Sequence, residues 1–267
     1  MQDLRIAYLQ ANLIWENPQA NLRLFDNLMQ QQTQSNDLII LPETFTTGFP
    51  VDPHVFAEEI NGPAMTWMSA RAQQYNAVVC GSILLRDCGN FFNCFIWMRP
   101  DGSYETYAKG HVFRMGGEHE QITPGNQLLT VELHGWKIRP MICYDLRFPV
   151  WCRNASLDGV FAYDLLLFVA NWPSVRSWPW MQLLIARAIE NQSYVIGVNR
   201  VGVDGLNFNY TGDSCVLDAK GFMVSQAVAE KEMLVEVSLN YAELLIFREK
   251  FNVALDWDRF NILHLSS

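Results

Sequence analysis

Trp136-Lys137-Ile138-Arg139-Pro140-Met141-Ile142-Cys143-Tyr144-Asp145-Leu146-Arg147-Phe148-Pro149 is the stretch on which the chain turns. An apolar run stops abruptly at a cysteine, and a polar, turn-prone segment follows. This layout predicts a thiol at the carboxyl end of a buried strand, where backbone N–H groups point outward. Strand carboxyl ends are where ligands bind in open α/β sheets. A lone cysteine is among the most buried residue types and reads equally as core. The chemistry therefore rests on whether the chain also supplies a base and a cation.

Two further segments supply them. Asp37 to Phe49 is a second apolar strand that ends in a carboxylate, at Leu41-Pro42-Glu43. Tyr107-Ala108-Lys109-Gly110-His111-Val112-Phe113 places a lysine beside a glycine in an aromatic setting. Singly, Glu43 reads as a cap or loop acid and Lys109 as a surface cation. In order, spacing and flanking residues, the three segments together resemble the nitrilase, or carbon–nitrogen hydrolase, superfamily with its Glu-Lys-Cys triad. The resemblance runs from about Leu4 to about Asn252 and is closest to the omega-amidase branch. Asp145 to Pro149, Ala170 to Pro173, Ala186 to Gln192 and Asn199 to Gly202 also fit that branch. Many relatives carry a second glutamate six residues before a Pro-Gly pair. Counting back from Pro124 selects Glu118, with Glu120 its near neighbour.

The resemblance implies an α/β fold, an α-β-β-α sandwich of two sheets flanked by helices, and pairing into a homodimer or higher homo-oligomer. It implies one carbon–nitrogen hydrolase domain over residues 1–267, with 241–267 a C-terminal tail. From the residues themselves only the α/β class follows. Leu22, Phe25, Leu28 and Met29 repeat at helical spacing over Pro18 to Gln32. Short apolar runs at Leu4–Gln10, Leu38–Leu41, Ala77–Leu85, Phe91–Arg99, Gln127–Leu133, Lys137–Ile142, Leu165–Ala170 and Tyr194–Asn199 read as strands. A helix is expected over Trp180 to Asn191, and late strands at Val216–Leu217, Phe222–Gln226 and Leu234–Val237, followed by a polar tail.

Amide cleavage requires a strong nucleophile, a stabilised oxyanion and a proton for the departing nitrogen. The triad implies Cys143 as nucleophile and Glu43 as general base, then acid to the leaving ammonia. Lys109 and the Tyr144 backbone N–H would hold the oxyanion, and the Lys109 ammonium would favour the thiolate. Glu118 would orient Lys109 or the substrate amide. No metal or organic cofactor is expected. Arg147 has two readings: an ion pair with a nearby acid such as Asp145, or a fork for a substrate carboxylate. Phe45, Phe113 and Trp172 are candidate walls of a narrow pocket. The expected substrate is a small ω-monoamide of a dicarboxylic acid, such as 2-oxoglutaramate, 2-oxosuccinamate or succinamate. Deaminated glutathione, an N-carbamyl compound or a nitrile would suit the same triad, and a non-catalytic binding protein is the rival from another class.

Composition agrees with these expectations. Half of the 267 residues are hydrophobic, enough for a sizeable core, and the net charge of −9 argues against a nucleic-acid partner. The first ten residues lack the basic-then-apolar layout of a signal peptide, and no apolar run approaches the roughly 20 residues a membrane helix needs. Six cysteines without a C-x-x-C pair suggest reduced thiols, hence the cytoplasm.

Overall fold

The computed structural model describes residues 2–49 and 51–262. Strand Leu4–Gln10 lies parallel to Leu38–Ile40, which lies parallel to Val78–Asp87. Val78–Asp87 then turns at Cys88-Gly89 into the antiparallel strand Asn90–Met98, which pairs with Tyr104–Ala108. Met233–Leu239 closes the other edge of this six-stranded sheet. A second six-stranded sheet is built around three parallel strands, Trp136–Ile142, Leu165–Ala170 and Tyr194–Asn199. Its remaining strands, Val131–Leu133, Cys215–Leu217 and Met223–Gln226, are antiparallel additions.

Alternation along the strands explains how the layers assemble. Leu4, Ile6 and Tyr8 share one buried cluster with Trp136, Ile138, Leu165 and Leu167, so these faces meet between the sheets. Ala7 and Leu9 point the other way, into a cluster with Phe25, Leu28, Met65 and Met68. Those residues belong to helices Pro18–Met29 and Pro63–Tyr75. On the far side, Trp180, Leu184 and Ala188 of helix Ser177–Asn191 cover the second sheet. Strands covered on both faces must be apolar throughout, and Leu165–Ala170 is buried at every position. The layers are therefore α-β-β-α, as the family resemblance implied.

Some elements differ from their sequence-based limits. The strand expected from Gln127 begins only at Val131. Tyr104–Ala108 and a small hairpin, Val201–Val203 with Asn209–Thr211, carried too little apolar alternation to be foreseen. The expected tail opens with a helix, Tyr241–Lys250, capped where Asn240 Oδ1 accepts from the Glu243 N–H at 2.8 Å. Residues 263–267 of that tail lie outside the described residues. Among the described residues, no helix is long and apolar enough to cross a membrane.

The topology decides where chemistry can occur. Leu38–Ile40, Tyr104–Ala108, Trp136–Ile142 and Leu165–Ala170 are followed by Glu43, Lys109, Cys143 and Asn171 respectively. The strand pairings turn these carboxyl ends toward one shared region, as the contacts below demonstrate.

Candidate active site

Cys143 follows the last residue of its strand and starts a short 3-10 helix, Cys143–Arg147. Its φ is +44°, a left-handed conformation that costs a non-glycine residue energy and tends to persist at functional turns. Asp145 holds this turn. Its fully buried carboxylate accepts from the Ile142 N–H at 3.0 Å, from Tyr107 Oη at 2.7 Å and from the His111 N–H at 2.9 Å. One carboxylate thereby fastens the cysteine turn to the segment that carries Lys109.

Glu43, Lys109 and Glu118 form a desolvated ion cluster, with relative exposures of 0%, 1% and 4%. Lys109 Nζ donates to Glu43 Oε1 at 2.9 Å and lies 3.1 and 3.0 Å from the two carboxylate oxygens of Glu118. Glu43 Oε1 also accepts from Asn93 Nδ2 at 2.8 Å, and Oε2 from the Asn171 N–H at 2.7 Å. Asn171 Nδ2 reaches the Glu43 carbonyl at 2.8 Å and Thr44 Oγ1 at 2.9 Å. Thr44 itself sits at φ +39°, its N–H donating to Ser82 Oγ at 2.8 Å. Glu120, the alternative to Glu118, is exposed.

The charges explain the protonation states. Burial by itself pushes the Lys109 ammonium toward neutrality, but Glu118 and Glu43 outweigh it and raise its pKa above the ordinary value. Burial raises the Glu118 carboxyl, an effect Lys109 opposes. Burial and the Glu43 carboxylate push the Cys143 thiol well above its ordinary range, against the pull of Lys109. The thiolate expected beside Lys109 is thus disfavoured, since it would set a further negative charge beside Glu43 and Glu118. Inactivation by iodoacetamide should accordingly keep accelerating from pH 7 through pH 9; a rate plateau already reached by pH 7 would reveal a preformed thiolate.

A cavity of about 420 Å³ opens onto Cys143 and Lys109. Tyr144, Arg147, Phe113 and Trp172 all line it, together with Phe49, Asn171 and Arg176. Phe45 does not. It is fully buried on the helix side of the first sheet, edge-on to Phe25 at 5.6 Å and beside Trp67 at 5.9 Å. The turn at Thr44 sends Phe45 back into the core and leaves Phe49 facing the site, 5.2 Å from Lys109 Nζ.

Sequence reasoning also missed the supports of Glu43. Asn93 lies within a buried strand, and a polar residue there signals an obligatory partner without naming it. Leu206, Phe208 and Tyr210 reach the cavity from the unforeseen hairpin. Asp204 folds that loop inward by accepting from the Leu206 and Phe208 N–H groups and from Tyr210 Oη, all at 2.8–2.9 Å.

Fold and cluster together place the chain in a class. The carbon-nitrogen hydrolase family model matches residues 5–246, and the chain belongs to that family. Within it, the chain is 43% identical to omega-amidase YafV of Escherichia coli, over 98% of this chain and all of that one. It is 30% identical to the 2-oxoglutaramate amidase of Bacillus subtilis, over 93% of this chain and 95% of that one. A carbon-nitrogen hydrolase superfamily protein of Xanthomonas campestris, solved with an arsenic adduct in its active site, superposes with a TM-score of 0.95 at 43% identity, covering 98% of this chain and all of that one.

Proposed function

We propose that this carbon–nitrogen hydrolase is an omega-amidase, releasing ammonia from a small ω-monoamide of a dicarboxylic acid. Cys143 Sγ attacks the amide carbon while its proton passes to Glu43. The oxyanion is held by Lys109 Nζ and by the Tyr144 N–H, which lies in the first turn of a helix, where backbone donors lack helical partners. Collapse of the tetrahedral intermediate breaks the C–N bond, and Glu43 returns the proton so that nitrogen leaves as ammonia. Water, deprotonated by Glu43, then attacks the thioester and frees the dicarboxylate and the thiol. Glu118 fixes Lys109 through two contacts.

The observation that carries the substrate class is the state of Arg147. Among the described residues it makes no ion pair. Asp145, the acid the sequence offered as its partner, is occupied by Ile142, Tyr107 and His111. The Arg147 guanidinium instead lies 4.8 Å over the Trp172 ring, within the cavity that holds Cys143. A positive fork in an apolar cavity suits a carboxylate at the far end of the substrate. The names of the relatives in Escherichia coli and Bacillus subtilis support the same reading.

Ammonia release from succinamate, 2-oxosuccinamate, butyramide, a nitrile and an N-carbamyl amino acid tests it directly. The ω-amide acids should be turned over fastest; preference for butyramide or the nitrile would defeat the assignment. Arg147→Met should raise KM for succinamate roughly 10- to 150-fold, the worth of a charge-assisted hydrogen bond, and affect butyramide far less. Equal losses on both would make Arg147 structural.

The functional unit we propose is one domain over 1–267, with 241–267 as its C-terminal tail, acting in the cytoplasm as a homodimer or higher homo-oligomer. The free state of all six cysteines favours a reducing compartment. Exposed Ile189, Leu245 and Ile246 on the outer helices offer apolar surface for pairing, which sedimentation equilibrium would measure.

A further inference from the structure

Asn93 is a fully buried polar residue inside strand Asn90–Met98, and it touches both the base and the cation of the site. Its Nδ2 donates to Glu43 Oε1 at 2.8 Å, while its backbone carbonyl accepts from the Lys109 N–H at 2.9 Å. This arrangement is not free of cost. Asn93 Oδ1 is buried and meets no donor among the described residues. A buried acceptor without a partner is destabilising, and such groups tend to persist where they serve function. Turning the amide over would not help, since it would set Oδ1 against the Glu43 carboxylate. Asn93 thus tolerates one orphaned oxygen while presenting an N–H to one oxygen of the base.

The acceptor sites of Glu43 explain what that N–H does. An ionised carboxylate offers about four lone-pair sites, two on each oxygen. On Oε1 both are filled, by Lys109 Nζ at 2.9 Å and by Asn93 Nδ2. Oε2 accepts from the Asn171 N–H at 2.7 Å and keeps one site open. Asn171 also borders the nucleophile, because its carbonyl is the group that Cys143 Sγ approaches at 3.9 Å. One residue therefore neighbours both Oε2 and the thiol. Without the Asn93 N–H, a second open site would appear on Oε1, and the carboxylate would lose one of the donors that fix its plane.

We infer that Asn93 is a positioning residue for the general base: by occupying Oε1 it reserves Oε2 for the proton that leaves Cys143 Sγ. Oε2 returns that proton to the departing nitrogen as the C–N bond breaks. In the second half it takes a proton from the attacking water and returns it to sulfur as the thioester opens. That role rests on the cysteine-amidase reading above.

The test compares Asn93→Leu and Asn93→Asp with the wild type in kcat and KM for succinamate, in iodoacetamide inactivation rate and in thermal unfolding. Leucine keeps the branched skeleton and removes the donor together with the orphaned acceptor, so unfolding should stay near the wild-type temperature. Its kcat should fall about 10- to 100-fold with KM nearly unchanged, the scale of a catalytic group misplaced by about 1 Å. Iodoacetamide should inactivate the folded variant more slowly by a similar factor. Asn93→Asp turns the donor into another acceptor facing Glu43 and should lose more kcat than Asn93→Leu. Should the bulkier leucine not be accommodated, Asn93→Asp, isosteric with asparagine, still decides. A residue that only supports its strand would lower the unfolding temperature and leave kcat of the folded protein alone. Unchanged kcat in a folded variant, or a loss seen only in KM, would therefore overturn the role. Glu43→Gln measured alongside separates this from the reading beneath it. Turnover kept in Glu43→Gln would defeat the mechanism itself, whereas an inactive Glu43→Gln beside fully active Asn93 variants would defeat only the role of Asn93.

Discussion

Cys143→Ala should release no ammonia above background while unfolding at nearly the wild-type temperature. Loss of a hydrolase nucleophile costs on the order of 10⁶-fold in kcat, since the remaining residues have nothing to activate. Stability should survive because the thiol contributes little packing. Its polar neighbours are the Asn171 carbonyl, at a long 3.9 Å, and the Glu43 carboxylate. Alanine keeps a Cβ at the same left-handed position, so the backbone cost at φ +44° is unchanged. Cys143→Ser should also stay far below wild type, because Glu43 must then deprotonate a much weaker acid. Retained ammonia release in Cys143→Ala, measured on protein shown to be folded, would remove the thioester mechanism altogether.

Glu43→Gln should cost about 10⁴-fold or more in turnover, the usual scale for one member of a hydrolytic triad. Unlike the cysteine change, it should also lower the melting temperature. Glu43 accepts from Lys109, Asn93 and the Asn171 N–H, so every group around it is a donor. A glutamine has one acceptor oxygen, and its NH₂ must face at least one of those donors. A buried donor left unsatisfied costs about 1–3 kcal/mol. Lys109→Arg should fail for a related reason. Nζ sits within 2.9–3.1 Å of three carboxylate oxygens in a buried site, where a bulkier planar guanidinium cannot take the place of a compact ammonium. Near-normal ammonia release from either variant would mean that the base or the cation lies elsewhere.

Much of the candidate site was legible before any coordinates because short motifs carry the family resemblance. Glu43 and Cys143 each stand just past an apolar run, Lys109 lies in the Lys-Gly-His segment, and Glu118 is picked out by its distance from Pro124-Gly125. The helix Pro18–Met29 announced itself by spacing, with Asn17 capping it through the Ala20 N–H. Phe45 shows where such reading stops. Its place after Glu43 suggested the pocket, yet a single left-handed residue at Thr44 redirects it into the core. The amides that brace Glu43 carry no local mark of their role either, since their partner lies 50 and 128 residues away along the chain.

The sequence by itself determined, through the family resemblance its motifs carry, which side chains are the candidates for breaking an amide bond, and its apolar runs placed Glu43 and Cys143 at strand ends, because periodicity acts over a few residues. Tertiary structure decided what those groups are free to do. Desolvation and the Glu43 carboxylate push the Cys143 thiol above its ordinary range despite the neighbouring ammonium. Contacts from Tyr107 and His111 occupy Asp145, and among the described residues Arg147 pairs with no acid. Charge state and availability depend on dielectric and on every neighbour within a few ångströms, and only the folded chain brings those neighbours together.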